Sequence, residues 1–165
     1  MDTRGVRIEL RLNASPPLVS VTRRFVEEAL EKVISDGDLI SRVAMATHEL
    51  LENAAKYARN AQAELSVTMI PHGDGDDHVL VVQLRNETSS THIDRLRTVF
   101  MELDACRDPM QFYVDLMRRN AQSAETSGLG LARIRVEGEM TLCLRVDGTT
   151  ATIVAETHVP AAGLS

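Results

Sequence analysis

The chain has 165 residues, a formal charge of −6, no Trp and only two Tyr and three Phe. That length fits one domain with a real core, and the apolar share of 44% with 25% charged residues is ordinary for a globular protein. A nucleic-acid binder would want a basic patch with aromatic platforms, and neither is visible.

Val6–Leu12 (VRIELRL) alternates strictly, the pattern of a half-buried strand. Asn13–Pro17 breaks it. Ser15 can cap a helix and Pro16 can take its first position. Leu18, Thr22, Phe25, Val26, Ala29, Leu30 and Val33 then mark one helical face ending near Ile34. After the turn Ser35–Gly37, Asp38 can cap a second helix that runs to about Arg59. Ala63–Ile70 and His78–Arg85 read as strands joined into a hairpin by the Gly/Asp-rich Pro71–Asp77. Asn86–Thr91 is expected to leave the sheet. Ile93–Leu103 and Met110–Asn120 have helical spacing, with Asp108-Pro109 as the start of the latter. Ala121–Ser127 is small and polar, which points to mobility. Gly128-Leu129-Gly130-Leu131 opens a short helix to about Glu137. Glu139–Val146 and Thr150–His158 are strands around Asp147-Gly148, a strong hairpin signal, and Val159–Ser165 is a tail. In the first of these strands Cys143 reads as a core filler, and Cys106 and Cys143 lack CxxC spacing.

Strands and helices arrive in groups. The expected fold class is therefore α+β, a two-layer sandwich whose largely antiparallel or mixed sheet carries helices on one face. No repeat or linker divides the chain, so one domain over residues 1–165 is expected, with a helical insert at about 90–125. No apolar run nears the ~20 residues of a spanning helix, and MDTRGVRIEL lacks the pattern of a signal peptide. A soluble, cytoplasmic chain that binds neither nucleic acid nor membrane is expected.

Two stretches carry chemistry. In the second helix Val43, Ala44, Leu50, Leu51, Ala54, Ala55 and Ala58 form a broad apolar arc that includes Thr47. Glu49, Asn53 and Lys56 form a separate narrow stripe, with His48, Glu52 and Arg59 beside it. A carboxylate and an amide one turn apart can converge on a hydrated Mg²⁺ ion. Taken alone, the stripe also fits a solvated face with an ordinary Glu52–Lys56 pair. Gly128–Leu131 is the second stretch. A glycine turn running into a helix lets backbone N–H groups approach an anion, and Thr126 and Ser127 add hydroxyls. It matches neither GxxxxGK[ST] nor GxGxxG, and by itself it could be only a tight turn.

Together, ELLENAAKYA and the downstream SGLGLARI resemble the GHKL ATPases, closest to the small serine/threonine kinases of the anti-sigma type. The first motif is similar to the family's N box and the second to the glycine-rich box bordering its ATP lid. The element order also fits the family's Bergerat fold. The resemblance implies ATP and Mg²⁺ as cofactors. It implies Asn53 as the Mg²⁺ ligand, Glu49 as general base, and Lys56 as a basic group near the phosphates. Gly128, Leu129 and Gly130, with Thr126 and Ser127, would border the phosphates. The chemistry implied is phosphoryl transfer to a Ser or Thr hydroxyl.

The third family motif, DxGxG, is missing. The third strand reads VVQLRNETSS, with Asn86 where the adenine-reading Asp is expected and no glycines after it. An Asn carbonyl accepts a hydrogen bond but carries no charge to assist it. Either ATP binds in a modified way or the nucleotide site has degenerated. The R-N ending, a DPxxFYxxLM-like helix and the late SGLGL are similar to the SiaB-like branch. That likeness implies a kinase acting on a cognate regulatory protein in a bacterial partner-switching circuit, beside a metal-dependent serine/threonine phosphatase. It leaves open a homodimer, the state of many related kinases. The competing reading is a catalytically silent module of the same fold that sequesters a regulator without using ATP.

Two further clusters invite a functional reading. His72, Asp74, Asp76, Asp77 and His78 crowd together but fit neither EF-hand nor zinc spacing, so a solvated hairpin tip is expected. Phe112, Tyr113, Leu116 and Met117 share one side of the insert helix, where packing is the ordinary role and docking a partner the alternative.

Overall fold

The computed structural model describes residues 5–73, 75–122 and 128–165. Thr126 and Ser127, most of the segment expected to be mobile, and Asp74 lie outside the described residues. The strands are β1 (Arg7–Asn13), β2 (Gln62–Pro71), β3 (His78–Glu87), β4 (Thr141–Asp147) and β5 (Thr150–Val159). The helices are α1 (Pro16–Leu30), α2 (Gly37–Tyr57), α3 (Ser90–Ala105), α4 (Pro109–Ala121) and α5 (Leu129–Val136). The sheet runs β1-β2-β3-β5-β4 and every pairing in it is antiparallel.

Alternation along the strands builds the two-layer α+β sandwich. Leu65, Val67 and Met69 of β2 sit opposite Leu84, Val82 and Leu80 of β3, and all are buried. Ile153 and Ala155 of β5 continue the row. Val19, Val26 and Leu30 of α1, Leu50 and Leu51 of α2, Val99 of α3, Leu116 of α4 and Ile134 of α5 belong to the same core. The opposite face carries mostly charged and polar side chains, with Val79, Val81 and Val154 among them. Glu64 there pairs with both Arg11 and Arg85. Among the described residues no helix is long and apolar enough to cross a membrane.

Several sequence expectations change in detail. Cys143 is exposed rather than in the core. The alternation puts Leu142 on the covered face and Cys143 with Thr141 on the open one. Leu18 and Phe25, expected on the core side of α1, stand 44% and 48% exposed with Val21 at 51%. Thr22, Val26 and Leu30 face inward as expected, and Val19 joins them in place of Leu18 and Phe25. Ser15 holds the cap position of α1 without a side-chain cap bond. Asp36, not Asp38, caps α2, accepting from the N–H groups of Asp38 and Leu39 at 3.0 and 3.1 Å. Asn86 does not leave the sheet: β3 continues to Glu87, and Asn86 pairs with Ala151. Ser89 and Asp108 cap α3 and α4 through the N–H groups of His92 and Gln111.

Candidate functional site

The long helix α2 lies with one face in the core and its charged stripe along a cleft. Thr47 is wholly buried within the apolar arc, its hydroxyl donating to the Val43 carbonyl at 2.9 Å. The cleft has a volume of about 350 Å³, at the lower end of the size of small-molecule sites. Its walls are Glu49, Glu52, Asn53 and Lys56 from α2, Tyr113 from α4, and Gly128–Leu131 with Arg133 and Glu137 from α5. Residues far apart in the chain, Glu49 and Asn53 on one side and Gly128 and Gly130 on the other, thus share one space.

Both glycines sit at close approaches of different kinds. Gly128 sits at φ +83°, and a Cβ there would lie 2.9 Å from the Val99 side chain of α3. A Cβ on Gly130 would lie 2.6 Å from Oε2 of Glu49. The first has a rigid obstacle and a left-handed backbone; the second meets only the end of a flexible side chain. Gly128→Ala is therefore expected to lower stability by about 1–3 kcal/mol, and Gly130→Ala by less while displacing Glu49. Thermal unfolding of the two variants side by side checks the order.

Glu49 is the best-sheltered charge in the cleft, its side chain 13% exposed. Its Oε1 accepts from Nη1 of Arg133 at 2.8 Å, while Nε of Arg133 donates to Oε2 of Glu137 at 2.8 Å. The Tyr113 hydroxyl donates to Oε1 of Glu137 at 2.9 Å. The bond from Arg133 holds the Glu137 carboxyl below the usual Glu range, against a smaller upward push from burial. Its two carboxylates raise Arg133 further, so it stays charged. Burial first, then the bond to Glu137, push the Tyr113 phenol up. Glu52 lies between Lys56 and His48, 3.6 Å from Nζ of Lys56 and 3.5 Å from Nε2 of His48. The expected Glu52–Lys56 pair is thus present and lies within the cleft.

Two features fit a phosphate-bearing ligand with its cation. Among the described residues no side chain caps the N-terminus of α5, and a helix N-terminus of this kind favours an anion. Among the described residues no hydrogen bond engages the Asn53 amide, which faces the same space. Asn53, Glu52 and Glu49 supply oxygen donors of the hard type that Mg²⁺ takes, and Lys56 supplies a cation.

The structure does not bring Asn86 to this cleft. Asn86 lines a separate one of about 570 Å³ with Arg11, Arg59, Asn60 and Arg85, and its amide donates to the Glu87 carbonyl at 3.2 Å. Beyond β3, Thr88 donates its hydroxyl to the Tyr57 carbonyl at 2.6 Å, and His92 stacks on Tyr57 with ring centroids 4.0 Å apart. Burial, and then Arg95, depress the His92 pKa, so its ring is neutral near pH 7.

Sequence reasoning missed Arg133, Glu137 and the role of Tyr113. The signal was present as an i,i+4 Arg–Glu pair just after the glycines. The hairpin tip holds no metal cluster among the described residues. Its Asp77 binds His158 at 3.1 Å and the Ala161 N–H at 2.9 Å. On α4, Leu116 is buried, Phe112 and Tyr113 pack against the core, and Met117 stays 40% exposed.

No family profile matches the chain, and no curated protein matches it in sequence. Its fold is similar to that of a chain in the crystal structure of the SiaB–SiaC complex from Pseudomonas aeruginosa. The TM-score is 0.61 at 16% identity, over 92% of this chain and 89% of that one.

Proposed function

We propose that this chain is an ATP- and Mg²⁺-dependent serine/threonine kinase of the GHKL type, acting on a cognate regulatory protein in a bacterial partner-switching circuit. One observation carries the reading: Glu49, Asn53, Lys56 and the glycine-rich start of α5, Gly128–Gly130, converge on one cleft. A solvated helix face would need no such convergence. The likeness in fold to a chain of a two-protein complex supports a protein partner. A metal-dependent phosphatase in the same circuit, a homodimer and a cytoplasmic location belong to this proposal, as does one domain with α3–α4 as its insert.

Asn53 would ligate the metal through its amide oxygen. Lys56 and the first amides of α5 would hold the phosphates. Glu49, fixed by Arg133 at Oε1, would accept the proton of the attacking hydroxyl. Bound Mg²⁺–ATP would supply the phosphoryl group with its charge screened.

A second reading, a silent module that sequesters a regulator, is favoured by the position of Asn86 outside the cleft. Calorimetry with ATP and Mg²⁺ on the wild-type chain and on Asn53→Ala separates the two, since the silent module binds ATP in neither. The kinase reading expects ATP affinity to collapse with the fold intact. Unchanged affinity removes Asn53 from the site.

A further inference from the structure

Arg133 joins two carboxylates, Glu49 of α2 and Glu137 at the C-terminal cap of its own helix α5. A guanidinium is a rigid planar fork, so fixing its Nε edge on Glu137 sets where Nη1 points. The opposite oxygen of Glu137 is taken by the Tyr113 hydroxyl from α4. A continuous set of bonds, each 2.8 or 2.9 Å, therefore runs from α4 through α5 to α2.

Ordinary surface ion pairs hold flexible side chains and contribute little. This one ends on a carboxylate only 13% exposed and spans 84 residues of chain. Its geometry also has a direction. Arg133 takes Oε1 of Glu49, and Oε2 is the oxygen against Gly130.

We infer that Arg133 is a positioning residue for Glu49, and that Glu137 and Tyr113 couple it to α4, so that a shift of α4 is felt at Glu49. This deepens the kinase reading, in which Glu49 is the base, but its test needs no nucleotide. Amide spectra of ¹⁵N-labelled protein are compared for wild type, Tyr113→Phe, Arg133→Lys, Arg133→Met and the Tyr113→Phe/Arg133→Met pair. Tyr113→Phe removes one oxygen and keeps the ring's packing. The expected result is that it moves the amides of Glu49–Asn53 on α2 as well as those beside Glu137.

Arg133→Met should move the same α2 amides further, and Arg133→Lys should resemble it because the fork is lost. The double variant should match Arg133→Met at α2, since the path runs through the guanidinium. Shifts of Tyr113→Phe confined to α4 and α5, or effects that add at α2, overturn the coupling. Titrating ATP with Mg²⁺ into the same samples keeps the two claims apart. A chain that shows the coupling but binds no ATP overturns the kinase reading alone. A chain that binds ATP while its α2 amides ignore Tyr113 overturns the coupling alone.

Discussion

Glu49→Ala is expected to keep ATP binding and to slow phosphate transfer to the partner by about a hundred- to ten-thousand-fold, the usual contribution of a positioned general base. The substitution removes the carboxylate and leaves the groups proposed to hold the nucleotide: Asn53, Lys56 and the amides at Gly128–Gly130. It opens space against Gly130, so it creates no clash. Arg133 retains Glu137 as a partner, so no buried charge is stranded. Calorimetry with ATP and a transfer assay on the same preparation check both halves. Transfer at the wild-type rate would remove Glu49 from the mechanism, and loss of ATP binding would make it a binding group instead.

Leu50→Ala should produce the largest loss of stability. Leu50 is fully buried on the apolar side of α2, next in sequence to Glu49. It packs in the core shared by the sheet and the helices. Deleting three carbons there loses transfer energy and leaves a cavity, together about 3 kcal/mol. For a chain of this size that lowers Tm by about 10 °C. Glu28→Ala on the exposed side of α1 should stay within about 0.5 kcal/mol. Chemical denaturation of the pair checks the contrast. Near-equal losses would mean that α2 is not seated in the core.

The element order was readable because periodicity is strong where one face is buried. The α2 arc from Val43 to Ala54 and the alternation in β2 and β3 belong to that class. The bringing together of Glu49 and Asn53 with Gly128 and Gly130 was legible only through two motifs read as a pair. Helix α1 shows the limit. Thr22, Val26 and Leu30 turn inward as their spacing predicts, but Leu18 and Phe25 stay exposed and Val19 is buried, because local pattern cannot fix which edge of a broad apolar arc turns inward. Cys143 shows another, since a cysteine in an alternating strand fits either face. Asn86 was placed at a strand end by its polar neighbours, yet its pairing with Ala151 depends on β5, far away in sequence. Arg133 was overlooked because its partner Glu49 lies 84 residues away.

The central claim is that the cleft between α2 and α5 binds ATP with Mg²⁺. Isothermal titration of ATP into the wild-type chain, with Mg²⁺ and again with a chelator, tests it most directly. The account predicts micromolar binding that weakens sharply when the metal is removed. An intact fold that binds no ATP even at millimolar nucleotide would contradict it, and would leave the cleft to a regulator held without chemistry.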